Sequence, residues 1–401
     1  MKPARPHILF ITQWQYADAL IQTYTLPYIA IIHRQTQTRS YLVTTIKNKK
    51  GRIEVKKRGS NAIIELPDSK SLLQWFTNIF SLICLVKKKK IPYIHTFCMP
   101  AGAIGAILKF MQPRVKLILD SVEPHAESMA ECNIWKRNSL KFRLLFFFEK
   151  LQIRKADRLI LAEKDMPVYI KNTYHLTISD YFVKPSCVDL EMFSARCIKE
   201  PGLLSALNLA DKVVCVYAGK FGGFYLEDEI FKFIRACQGY WGRNKFRFLL
   251  LSNVDEAFLK DMTVKYGIEE DAVIKLFVPH AEIPKYIGLA DFALSPYKPV
   301  PSKRFGTPIK NGEYWAMGLP VVITPGISED SNIIMENNAG VVLNGFTEED
   351  FLHAITQIDK TISHKSRMEV YNAIRPLAEK YRNFSIAEEV YGKLYSGLVT
   401  C

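Results

Sequence analysis

Residues 300–318, VPSKRFGTPIKNGEYWAMG, gather Lys303, Arg304 and Lys310 around a Gly-Thr-Pro turn and set Glu313 three residues past Lys310. The turn reads as the opening of a short helix. The free backbone N–H groups of a helix start point at an anion, and Lys310 adds a full positive charge there. The Glu313 carboxylate, one turn in, can accept hydrogen bonds from two neighbouring sugar hydroxyls, as an acidic residue does with a ribose diol. A first-turn glutamate also simply suits the helix dipole, which is the structural alternative. A second stretch, YAGKFGGFYLEDEI at 217–230, places Gly219, Lys220, Gly222 and Gly223 between a strand and a helix. Glycines let the backbone approach a phosphate and Lys220 supplies charge, although such turns are also glycine-rich for steric reasons. It is not a GxxxxGK[ST] loop. A third stretch, DSVEPHAESMAE at 120–131, packs Asp120, Glu123, His125, Glu127 and Glu131 together with one histidine.

The elements that must position these residues are strands of continuous apolar character alternating with helices. HILFIT (7–12), YLVTTI (41–46), AIIEL (62–66), YIHTF (93–97), VKLILDS (115–121) and RLILA (158–162) form a first series. A second comprises VVCVYAG (213–219), FRFLLLS (246–252), VIKLF (273–277), FALSP (292–296), PVVIT (320–324) and AGVVL (339–343). This is the pattern of parallel sheets covered on both faces. It predicts two doubly wound α/β domains: 1–190, a linker at 191–208, and 209–375, with helices at 376–401 returning to the first domain. Ligands of such sheets bind beyond the carboxyl ends of the strands, so a cleft between the two domains is expected to hold the site.

Composition agrees with a folded, two-domain chain: 401 residues, 48% apolar and 23% charged. Eight scattered cysteines without a CxxC pair point to reduced thiols in a cytoplasm. The start, MKPARPHILFITQW, has too short an apolar run for a signal peptide. LLQWFTNIFSLICLV (72–86) is too short and too polar to span a bilayer and reads as a buried or interfacial helix. The net charge of +14 is uneven. Residues 1–200 hold 32 Lys/Arg against 16 Asp/Glu, a net of +16, and the remainder hold 22 against 24. The densest runs are 47–58, 87–90 and 136–143. Solvated surface lysines, nucleic acid, an anionic membrane surface or an acidic substrate each account for such charge. No nucleic-acid-reading motif accompanies it, so nucleic acid is not expected as a partner.

KNGEYWAMGLPVV (310–322) resembles the donor-binding segment of GT-B nucleotide-sugar glycosyltransferases of the retaining family 4 type, the glycosyl transferases group 1, with its Lys-x-x-Glu-(Tyr)-x-Ala-x-Gly-x-Pro-Val-Val pattern. VPHAEIPKYIGLADFALSP (278–296), KPSCVDLEMF (184–193) and EKLQIRKADRLILA (149–162) resemble further segments of that family in the same order. The resemblance implies a GT-B fold, with two Rossmann-like domains facing a central cleft. It implies that Glu313 holds the ribose of the donor. Thr307, Pro308, Ile309, Lys310, Asn311 and Gly312, aided by Lys220, Gly222 and Arg304, would hold the diphosphate, and Val278 and Pro279 would lie beside the base. It also implies that His125 lies beside the anomeric carbon and the acceptor hydroxyl, with Glu127 orienting the donor sugar or the acceptor. Lys220 and Lys310 would carry catalysis by stabilising the leaving diphosphate. Phe305 stands where many members have a glutamate, Leu226 where many have a second basic residue, and TQWQYADALIQ (12–22) replaces the usual Gly-Gly loop.

The expected activity is transfer of a sugar, with retention, from a nucleotide-sugar donor to a glycan or polyprenyl-linked glycan acceptor in bacterial surface polysaccharide biosynthesis. No cofactor is expected, and without an Asp-x-Asp motif no metal is expected. The expected location is the cytoplasm, at the cytoplasmic face of the inner membrane where the basic half would meet anionic lipid. A GT-B nucleotide-sugar epimerase and a non-catalytic carbohydrate-binding relative are the alternatives.

Overall fold

Strands without polar alternation must be buried on both sides, and the chain builds two sheets of that kind. The computed structural model describes residues 7–46, 54–58, 61–67 and 72–399. Contacts divide the chain into two units: 1–130, 135–185 and 384–401 form the first, and 131–134 with 186–383 the second.

The first unit has strands β1 (His7–Gln15), β2 (Arg39–Ile46), β3 (Glu54–Arg58), β4 (Asn61–Pro67), β5 (Tyr93–Phe97), β6 (Lys116–Val122), β7 (Arg158–Leu161) and β8 (Tyr181–Val183). Their order is β3-β4-β2-β1-β5-β6-β7-β8. All neighbours are parallel except the β3–β4 pair, which is antiparallel. Steps β4→β5, β5→β6 and β6→β7 run across the sheet in one direction. Right-handed crossovers therefore place helices Leu72–Lys89, Met99–Met111 and Leu140–Lys155 on one face. The step β1→β2 runs the other way and puts Leu26–Thr36 on the opposite face, where the C-terminal helix Phe384–Val399 packs against it.

The second unit has β9 (Val213–Ala218), β10 (Phe246–Leu251), β11 (Val273–Leu276), β12 (Phe292–Ser295), β13 (Val321–Ile323) and β14 (Gly340–Val342), in the order β11-β10-β9-β12-β13-β14, all parallel. The two-residue period of the strands feeds two cores. Val214 and Val216 point into one with Trp315 and Met317; Cys215 and Tyr217 point into the other with Phe231 and Phe248. The strand order reverses between β9 and β12, so the crevice at a carboxyl end opens there.

The basic run 47–58 lies partly outside the described residues, at 47–53; its remainder forms β3, an edge strand that the sequence reading took as a charge run alone. The unit boundary falls between Pro185 and Ser186. The segment expected as a linker at 191–208 packs on the second unit: Phe193 is in its core, Leu203 and Leu204 pack against it, and Lys199 Nζ binds Asp291 at 2.7 Å. The chain leaves that unit only after Asn383, so helix Arg367–Tyr381 belongs to the second unit, and Phe384–Val399 to the first.

Candidate functional site

Helix Ile309–Ala316 starts after Pro308, which caps it without a side-chain hydrogen bond. Its first-turn N–H groups therefore remain for another acceptor. Almost the whole helix is buried, and Lys310 and Glu313 are each only 8% exposed. Lys310 Nζ is 3.3 Å from the Tyr217 hydroxyl and lies 4.4, 4.0 and 5.2 Å from the ring centres of Tyr217, Tyr225 and Tyr297. Burial pushes the Lys310 ammonium down to about 7, with Glu313 opposing the shift. A desolvated cation against aromatic faces is partly compensated, but it lacks the fixed anionic partner that would hold its charge.

Gly219, at the carboxyl end of β9, makes room for that ammonium. A Cβ there would stand 2.7 Å from Lys310 Nζ and 3.1 Å from the Tyr217 hydroxyl, at a φ of +156°. The Ala218 N–H donates to the Tyr314 hydroxyl at 2.9 Å, joining the strand end to the helix. Glu313 Oε1 is 3.4 Å from His280 Nε2, which comes from the turn after β11. The far side of the helix is held internally. Asn311 Nδ2 donates to Asp330 at 2.7 Å, Asp330 pairs with Arg382, and a Cβ on Gly312 would meet Val188 at 2.9 Å. Burial raises the Asp330 carboxyl above its ordinary value, against the pull of Arg382 and Asn311.

The donor residues inferred from sequence thus converge in part. Lys310, Glu313, Gly219 and the helix start Pro308–Gly312 meet at the strand reversal. Thr307 is half-buried, its carbonyl accepting from Ser186 Oγ at 2.8 Å. Lys220 and Arg304 are exposed, while Lys303 Nζ sits over the Phe224 ring at 3.5 Å. Val278 is half-buried and Pro279 exposed, at the carboxyl end of β11. Gly222 has φ +70°, with the Glu227 carboxylate where a Cβ would go, so it shapes the turn. Leu226 is buried and its N–H donates to the Pro296 carbonyl at 2.9 Å, an apolar anchor where a cation was sought. His280 and the three tyrosines around Lys310 were not singled out from sequence. The signal available was position: Tyr217 and Tyr297 lie within two residues of the carboxyl ends of β9 and β12, and Tyr225 and His280 lie in the segments that follow β9 and β11.

In the first unit, His125 opens helix His125–Glu131 directly after β6. Its Nδ1 is 3.9 Å from Glu123 Oε1. Glu127 is clamped by Arg137 at 2.6 and 2.9 Å, so the residue expected to orient a sugar already has a cationic partner. Glu149 is fully buried and accepts from the Ala126 N–H and the Tyr174 hydroxyl, each at 2.8 Å. Burial pushes its carboxyl up to about 8. Cys98 and Ser121, at or near the carboxyl ends of β5 and β6, have φ of 66° and 61°. Non-glycine residues adopt such values at a cost, and they cluster at functional edges. Asp120 serves the fold instead. Burial would raise its carboxyl, but Lys184 at 3.3 Å, His95 at 3.2 Å and the Tyr391 hydroxyl at 2.6 Å hold it below its ordinary value. Glu131, grouped with the second unit, accepts from the Ser302 N–H at 2.8 Å.

Among the described residues, no group of three or more His, Cys, Asp or Glu is arranged to hold a metal ion. No curated protein matches the chain in sequence at a significant level. Residues 212–360 match the family described as glycosyl transferases group 1. Along its whole length the chain shares its fold with solved structures of low identity. Sucrose-phosphate synthase from Thermosynechococcus elongatus has a TM-score of 0.75 at 14% identity, over 99% of this chain and 100% of that one. HepE of Anabaena, in complex with UDP and glucose, gives 0.72 at 13% identity over 98% and 100%. WaaG, a glycosyltransferase involved in lipopolysaccharide biosynthesis, gives 0.70 at 13% over 96% and 99%. The group 1 match is confined to residues 212–360, and over its whole length the chain has the GT-B fold of these glycosyltransferases.

Proposed function

We propose that the protein transfers a hexose from a nucleotide-sugar donor to a glycan or lipid-linked glycan acceptor, with retention, in assembly of a bacterial surface polysaccharide. The observation that carries the reading is Lys310 and Glu313 on one buried helix start at the strand reversal of the second unit, the lysine without a fixed anionic partner. A nucleoside diphosphate fits that deficit. Its ribose diol would donate to Glu313 beside His280, and its phosphates would accept from the N–H groups at 308–312 and from Lys310, with Lys220 and Arg304 as exposed cations nearby. HepE and the Escherichia coli trehalose-6-phosphate structure, solved with UDP or UDP-sugars, support a uridine donor.

In the reaction the bond from the anomeric carbon to the diphosphate oxygen breaks. The acceptor oxygen bonds to the same face of that carbon, and the acceptor proton passes to the leaving phosphate. The protein's task is to hold the partners and to stabilise the charge that develops on the diphosphate. In this reading no metal takes part, and the positive charge comes from Lys310, Lys220, Arg304 and the helix start. His125 is assigned to the acceptor side, with Glu149 fixing the start of its helix through Ala126. The proposed location is the cytoplasmic face of the membrane; among the described residues no helix is long and apolar enough to cross one.

Thermal stabilisation by UDP, GDP and their sugars tests the donor reading. Ligand at a hundred times its dissociation constant stabilises by about 2.7 kcal/mol. Selective stabilisation that Glu313→Ala and Lys310→Ala abolish is expected. No stabilisation by any nucleotide would overturn it. Binding without turnover would favour a non-catalytic relative, a reading that Phe305 in place of the family glutamate supports.

A further inference from the structure

Helix Leu72–Lys89 exposes Leu73, Phe76 and Phe80, spaced i, i+3 and i+7 on one stripe. Helix Leu140–Lys155 exposes Leu140, Leu144 and Phe147, spaced i, i+4 and i+7. These six side chains are 53–78% exposed. Singly exposed apolar residues are ordinary, but two helical stripes of large ones are not. The helices flank Met99–Met111 in the same layer on one face of the first sheet, each in contact with it. Both stripes begin in a helix's first turn. They lie toward the carboxyl ends of the strands, the edge where sheets of this kind meet their ligands. The charge around them has one sign. Lys87–Lys90 close the first helix, all exposed, and Lys141 and Arg143 stand exposed beside the second stripe.

We propose that this helical layer is a docking face for an anionic lipid bilayer. The stripes would sink into the headgroup–acyl boundary, with the lysines at the lipid phosphates. An interfacial helix lies in the membrane plane with its apolar face about 5–10 Å deep. The 18-residue helix is about 27 Å long, enough to keep the Phe76–Phe80 stripe and the four lysines on one bilayer surface. A second copy is the poorer occupant, because two faces of like charge repel. Nucleic acid would leave the aromatic stripes against phosphate. The inference rests on the membrane-face location proposed above but not on the donor site, so the two fail separately.

The test is co-flotation of the full chain with phosphatidylcholine vesicles, with and without about a third of phosphatidylglycerol. Three variants accompany it: Phe76→Ser with Phe80→Ser, Leu144→Ser with Phe147→Ser, and glutamine at all of Lys87–Lys90. The melting temperature and far-UV circular dichroism of each are the control for folding. Expected is binding to the anionic vesicles only, weakened by salt. The glutamine variant should lose on the order of 1,000-fold in partitioning. Each serine pair should lose at least about tenfold with melting temperature and circular dichroism unchanged. Equal binding by native chain and variants would overturn the proposal. So would absence of binding to anionic vesicles, or a dimer of the native chain that the serine pairs dissolve without any vesicle effect.

Discussion

Lys310 should make donor binding take up a proton, and the structure sets the scale. Its ammonium is displaced from the ordinary 10.5 to about 7 by burial among tyrosines. At 1.36 kcal/mol per pH unit, that displacement is roughly 5 kcal/mol of differential stability. The unfolded chain holds this proton up to its ordinary value, so the penalty is complete below pH 7 and relieved as pH rises from 7 to 10.5. A diphosphate in the site reverses the balance by favouring the ammonium. At pH 8 only about one empty site in eleven carries the proton, and at pH 9 about one in a hundred. The apparent dissociation constant for UDP should therefore rise about tenfold per pH unit above 7. Terminal phosphate ionises near 6, so the slope above 7 belongs to the protein. Calorimetry in buffers of different ionisation enthalpy reads the proton directly. About 0.9 proton should be taken up per UDP at pH 8 and about half a proton at pH 7. Lys310→Met should bind more weakly and without the slope. A native dissociation constant that stays flat from pH 7 to 9, or the same slope in the methionine variant, would refute the reasoning.

Gly219→Ala forces a Cβ to 2.7 Å from the same ammonium; UDP affinity by calorimetry should fall about 10- to 100-fold, with the melting temperature little changed. Glu149 has its carboxyl raised to about 8, so the folded state holds a proton that the unfolded state releases above its ordinary 4.5. Stability should then fall by roughly 3–5 kcal/mol as pH rises from 4.5 through 8, and Glu149→Gln should erase that slope in urea melts at pH 5 and 8.5. Arg382→Met leaves Asp330 buried without its partner and should cost about 3–5 kcal/mol. The double variant with Asp330→Leu should recover much of it, and a double variant as unstable as the single one would count against that account.

The legible part of the site was the part carried on one short segment. Lys310 and Glu313 share a single helix with its own turn before and strand after, so their spacing alone brings them together. The strands were legible for a related reason: YIHTF and VVCVYA have apolar residues on both faces, and the structure makes strands of Tyr93–Phe97 and Val213–Ala218. What escaped was assembled from separate segments. Tyr217, Tyr225 and Tyr297 reach Lys310 from two different loops and a strand end, and His280 reaches Glu313 from a third turn. No local pattern encodes those meetings; only the strand order that sets β9 beside β12 does. β3 and β8 escaped for another reason. EVKKR carries one apolar residue and YFV is three residues long, so neither shows a period.

The polar residues behind the site follow from the same geometry. An eight-residue helix with no side-chain cap is weakly specified by its own sequence. Burying it on all sides removes water as a partner for Asn311 and would leave its register to packing alone. Asp330, from the helix after β13, and Arg382, two residues before the chain leaves this unit, supply directional bonds that apolar contacts lack. Such a pair stabilises little in itself, since desolvation offsets much of the attraction. What it adds here is orientation. With Asn311 held from behind and Tyr314 bonded to the end of β9, Lys310 and Glu313 are held facing the strand reversal, where a diphosphate and its ribose would need them.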